Sequence, residues 1–123
     1  MEGFGRVNGL VIDGADTMRL AWFWAAVFGT QIDSVEGDGH YVDLAPNDRG
    51  PLLRFQRVAE RKTVKNRLHL DVEVDDTLAA ISEVQRLGGS LLQPVSTEYG
   101  WDFAIVADPE GNEFCLISRS EAS

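Results

Sequence analysis

Hydrophobic and polar positions alternate along this chain, then switch to a helical spacing, and they do so twice. The first switch lies in GLVIDGADTMRLAWFWAAVFGT, beginning at Gly9, and the second in HLDVEVDDTLAAISEVQRLGGS, beginning at His69. Set side by side without gaps, the segments match Leu10 with Leu70, Asp16 with Asp76, Thr17 with Thr77 and Gly29 with Gly89. Each predicts an alternating strand, an Asp that caps a helix, about three helical turns and a glycine stop. Shorter strand-like runs follow: TQIDSV, HYVDLA and PLLRFQRV in the first half, then SLLQPV, DFAIVAD and NEFCLIS in the second. EGDG, PNDRG and DPEGN supply turn residues. The predicted order is β-α-β-β-β, twice, in modules over about residues 5–60 and 65–120, joined by the polar, basic AERKTVKN.

Strand parity then predicts which side chains share a face. In NRLHLDVEV, Leu68, Leu70, Val72 and Val74 alternate with His69, Asp71 and Glu73. The apolar set should cover the helices, leaving His69, Asp71 and Glu73 opposite. Likewise Leu53 and Phe55 go to the helix side and Arg54 and Gln56 away from it. Phe114 and Leu116 go to the helix side, and Glu113 and Cys115 away. By the repeat, Gly9, Val11 and Asp13 take the places of His69, Asp71 and Glu73. On a flat sheet these polar residues would meet water; on a curled one they would converge in a cleft. Parity alone allows either.

Composition narrows the function classes. The 123 residues form one domain, and the net charge of −9 argues against a nucleic-acid partner or an anionic membrane surface. The single cysteine, Cys115, has no intramolecular disulfide partner, which suits a reducing compartment. MEGFGRVNG lacks the basic cluster and apolar run of a signal peptide, and LAWFWAAVFG is too short to span a bilayer. The expectation is a cytoplasmic protein. LAWFWAAVFG also carries Trp22, Phe23, Trp24, Val27 and Phe28 around more than one helix face, more than one sheet can cover, which predicts a homodimer.

The duplicated module, the RLHLDVEVDD strand and the closing ADPEGNEFCLI resemble the vicinal oxygen chelate superfamily, over about Gly9 to Ser118. Its members include glyoxalase I, bleomycin-resistance proteins and extradiol dioxygenases, and the chain looks closest to its small glyoxalase-like proteins. The resemblance implies an α+β fold in which two tandem βαβββ modules form a curled eight-stranded sheet around a central cleft. It also implies four metal-ligand positions, carried over to Gly9, Gln56, His69 and Glu113. Of these, Gln56, His69 and Glu113 have donor side chains, and Glu113 would be the catalytic base if the protein is a glyoxalase-type lyase or isomerase acting next to a carbonyl. With Gly9 bare and Gln56 neutral, a divalent zinc, nickel, manganese or iron ion would be held weakly, so the expectation is an incomplete metal site and no resident metal.

The function expected is therefore binding of a small apolar or aromatic molecule in the cleft, as resistance-type relatives do. Arg54, Gln56, His69 and Asp71 would contact it. Trp101 and Phe103, from EYGWDF with Tyr99, would wall it, with core packing the competing reading for these rings. His40 is read as an exposed turn residue. Cys115 is read as an inert buried thiol, since no base partner is legible beside it.

Overall fold

The structure is a computed structural model that describes residues 3–120. It divides into two compact units, residues 1–61 and 62–123. The first contains β1 (Leu10–Gly14), α1 (Thr17–Phe28), β2 (Ile32–Glu36), β3 (Tyr41–Leu44) and β4 (Leu53–Arg57). The second contains β5 (Asp71–Glu73), α2 (Thr77–Arg86), β6 (Ser90–Glu98), β7 (Trp101–Ala107) and β8 (Glu113–Arg119). The fold is thus α+β, two tandem βαβββ modules. Each module makes its own four-stranded sheet, in the order β1-β4-β3-β2 or β5-β8-β7-β6. The first and last strands of each pair in parallel, and the remaining neighbours are antiparallel.

Both helices start where the repeat requires. The side chain of Asp16 accepts a hydrogen bond from the Arg19 N–H at 3.1 Å, and that of Asp76 from the Ala79 N–H at 3.2 Å. Each satisfies a donor that the first helical turn leaves unpaired. The threonine after each cap is buried, yet its hydroxyl is bonded. Thr17 donates to the Gly39 carbonyl at 2.5 Å, and Thr77 lies 2.7 Å from the Ser118 hydroxyl. In each unit the helix covers one sheet face. Leu20, Phe23 and Trp24 are buried with Val42, Leu44, Leu53 and Phe55; Ile81 and Val84 are buried with Val72, Ala104, Val106, Phe114 and Leu116. Among the described residues no helix is long and apolar enough to cross a membrane.

Two details depart from the pattern. The strand expected from Asn66 begins only at Asp71, and Leu68 is exposed rather than in the core. Ladder bonding starts where the Cys115 N–H reaches the Leu70 carbonyl at 2.9 Å, while the Asn66 N–H turns instead to the Glu113 carboxylate. The helix stops also differ. Gly29 caps α1 with φ +67°, whereas α2 ends at Arg86 with Leu87 as its cap, and the left-handed glycine that follows is Gly88 (φ +99°), one position earlier in the repeat. Gly89 is there for space: an added Cβ would lie 2.4 Å from the Ala107 carbonyl oxygen and 2.6 Å from Val84 Cγ1. Backbone blocks that approach, so Gly89→Ala should cost about 1–3 kcal/mol by overpacking. Asp76→Ala, which removes only a cap, should cost about 1 kcal/mol. Urea unfolding, read as a shift in midpoint at unchanged slope, checks the ranking.

Candidate functional site

Within the second unit, register sets the rows of the helix-free face. Cys115 pairs with Asp71 on one side and Ile105 on the other; Ile117 pairs with Glu73 and Phe103. Arg119 pairs with Trp101, its guanidinium carbon 4.2 Å from the ring centroid. Paired residues point the same way, so Trp101, Phe103, Ile105 and Ile117 form an apolar field bordered by Asp71 and Glu73. Val72, Leu116, Ala104 and Val106, one position along each strand, are buried beneath. The alternation expected from sequence holds, and Trp101 and Phe103 are half-buried on this face rather than packed into the helix-side core. Tyr99 is fully exposed.

Carried two residues back, the same register sets His69 beside Glu113. Both line a small hollow of about 20 Å³, room for about one water, together with Lys65, Asn66, Ile105, Phe114 and Cys115. The Glu113 carboxylate, 11% exposed, is ion-paired with Lys62 and accepts a hydrogen bond from the Asn66 N–H at 2.9 Å. Burial alone would raise its pKa. The bonds from Lys62 and Asn66 and the charges of Lys62 and Lys65 outweigh burial and hold it below the usual glutamate range. A carboxylate held in this way is a poor general base, which works best with a pKa near the working pH. Its carboxylate fastens the segment entering β5 to the start of β8.

Beside it, His69, Asp71 and Cys115 bring an imidazole nitrogen, a carboxylate oxygen and a thiol sulfur within 4.8 Å of one another. His69 Nε2 lies 3.6 Å from Asp71 Oδ1, too far for a hydrogen bond. Burial pushes the Cys115 thiol up, and the charge and hydrogen bond of Asp71 add to that against a smaller opposing effect of Lys65. No partner for Cys115 is legible along the chain because its neighbours come from another strand. Its place in the parallel register is the signal that finds them.

In the first unit the expected residues are placed differently. Arg54 is committed to Asp43 by paired hydrogen bonds of 2.7 and 3.0 Å, and lies 5.7 Å from the Tyr41 ring centroid. The Asp43 bonds and charge raise its pKa further and keep it a cation. Gln56 pairs with Asp13, not with Gly9. The residue beside Gly9 is Leu52, whose carbonyl oxygen would lie 2.9 Å from an added Cβ. Gln56 stands four residues beyond Leu52, about 13 Å along the strand. His40 is half-buried, its ring 4.6 Å edge-on to Tyr41.

The sequence model of the glyoxalase-like domain matches residues 9–117. The chain belongs to the glyoxalase-like domain family. This places it in the vicinal oxygen chelate superfamily. No curated protein matches it in sequence. Among solved structures it resembles a fosfomycin resistance protein from Listeria monocytogenes (TM-score 0.75, 9% identity, 97% of each chain covered). It also resembles a hypothetical protein from S. aureus (TM-score 0.72, 15% identity, 94% of this chain and 95% of that one). A third is a glyoxalase/bleomycin resistance protein/dioxygenase family enzyme from Burkholderia phytofirmans PsJN (TM-score 0.68, 20% identity, 91% and 97%). At these identities the likeness is one of fold.

The donor set that family resemblance suggested for a metal does not fit one in this glyoxalase-like chain. Gly9 has no side chain and its strand neighbour Leu52 offers hydrocarbon. Gln56 is displaced along β4, and Glu113 is neutralised by Lys62. Of the four positions only His69 presents an uncommitted strong donor, and divalent sites need several. Because Glu113 titrates below its unfolded value, its bonds stabilise the protein above the ordinary glutamate range. That contribution is lost as pH falls through the lowered value. Glu113→Gln should therefore flatten the acid side of the stability–pH curve while Lys62→Ala weakens it, as followed by thermal unfolding in a pH series.

Proposed function

We propose that this glyoxalase-like protein binds a small organic molecule, apolar or aromatic, on the helix-free face of its second sheet. The observation that carries the reading is the field of Trp101, Phe103, Ile105 and Ile117 bordered by charged side chains at both ends. Flat apolar ligands gain from contact with such side chains, and a few polar groups at the border fix orientation. Arg119, stacked on Trp101 and exposed, takes the part expected of Arg54: it would meet an anionic substituent on a ring lying against the field. His69 and Asp71 lie at the polar edge. One structural neighbour is named a fosfomycin resistance protein and another a glyoxalase/bleomycin resistance protein/dioxygenase family enzyme, which agrees with a role in holding a small molecule. The lyase or isomerase reading needs a free base next to a carbonyl, and the clamped Glu113 does not offer one. Titration with anilinonaphthalene sulfonate, an anionic aromatic probe, tests the proposal. Phe103→Ser should weaken binding about tenfold, roughly 1.4 kcal/mol, and Arg54→Ala should leave it unchanged. Binding indifferent to Phe103 but lost with Arg54 would contradict it.

We also propose a cytoplasmic homodimer. Cys115 is a free thiol, which suits a reducing compartment. On α1, Trp22 is 64% exposed and Met18 38%, although Phe23 and Trp24 beside them are buried. An exposed tryptophan on an apolar helix suggests a covered surface. Light scattering at micromolar concentration should give a dimer mass, shifting toward the monomer in Trp22→Glu; a monomer mass for the unmodified chain would count against it.

A further inference from the structure

We infer that Tyr99, at the tip of the hairpin between β6 and β7, is a ligand-contacting residue for the aromatic molecule proposed above. The inference rests on that reading and adds a residue on the turn, outside the strands that carry the apolar field. Glu98 and Trp101 are register partners, so Tyr99 and Gly100 alone form the turn. Both have positive φ, +53° and +80°, as a two-residue hairpin of this kind requires. Such a turn favours Asn-Gly, because asparagine tolerates left-handed backbone and a bulky side chain is crowded there. Among the described residues the only other non-glycine with positive φ is Asp38, one of the types that accept it. Tyr99 returns no packing for this strain. It is 98% exposed, and among the described residues it makes no hydrogen bond, ion pair or ring contact. A strained residue whose ring touches nothing in its own chain points to something that binds there. Its location fits the ligand. The Ser120 N–H donates to the Gly100 carbonyl at 2.9 Å, which pins the turn to the end of β8. Arg119 precedes Ser120, stacks on Trp101 and stands at the same end of the field. A ring held against Trp101, with its anionic substituent at Arg119, therefore lies beside the tip, with only Gly100 between Trp101 and Tyr99. Tyrosine suits the contact because it offers a large, stiff, amphipathic surface with two side-chain angles to fix.

Titration with anilinonaphthalene sulfonate and urea unfolding, both on the full chain and its variants, test this together. Tyr99→Asn should move the unfolding midpoint up at unchanged slope, since asparagine suits the turn. The same change should weaken probe binding about threefold to tenfold, the loss of one aromatic contact. Tyr99→Phe should recover the affinity lost in Tyr99→Asn, with its midpoint back at that of the unmodified chain, because ring and backbone strain return together. A rise in stability with a fall in affinity is a signature that a merely exposed tyrosine would not give. Probe binding that falls in Phe103→Ser but not in Tyr99→Asn overturns this inference and leaves the proposed function standing. An affinity indifferent to both residues removes that reading and this inference with it. A lower midpoint in Tyr99→Asn also overturns the inference, because the ring would then be holding the fold together rather than serving a ligand.

Discussion

The parallel pairing of each unit's first strand with its last is the constraint on which the rest depends. A parallel ladder needs a crossover, and the helix between the first two strands provides it by covering one sheet face. Once Asp71 is beside Cys115, and Leu10 beside Leu53, the faces of the residues on these paired strands follow from parity. A slip of one residue would send Leu116 and Val72 to the open side and bury Asp71 and Cys115 against α2. The hydrophobic cost of that exchange is what fixes the register, and with it the chemistry of the open face.

The two units share this scaffold but not the chemistry built on it. Capping aspartates and buried threonines recur at matched positions, since both helices need the same start. The pairs on the open face do not recur. Where the second unit sets His69 near Glu113 and Asp71 beside Cys115, the first sets Gly9 near Leu52 and Val11 beside Arg54. Its arginine is then locked to Asp43. The duplicated frame is thus kept by packing, while the donors are concentrated in one copy.

The sequence made the frame readable because helix caps, alternation and turn glycines act locally. Asp16, Asp76, the helix-side Leu53, Phe55, Phe114 and Leu116, and the open-face Asp71 and Cys115 could all be placed from neighbours a few residues away. Non-local facts could not. Gln56 is given a ligand position only by the resemblance, and the ladder shows that Leu52, not Gln56, lies beside Gly9. Glu113 is expected as a ligand or base, but Lys62 and Asn66, about fifty residues earlier, claim its oxygens. Arg119 carries no local signal because its stacking on Trp101 depends on an antiparallel register across a hairpin.

If the open face of the second sheet carries the ligand, binding must be felt first by the backbone beneath it. Amide chemical-shift mapping during titration with anilinonaphthalene sulfonate reads this directly. The account predicts the largest shifts in residues 101–105, 115–119 and 71–73, with residues 53–57 of the first unit little changed. Shifts centred on Arg54 and Gln56, with β7 and β8 silent, would contradict it.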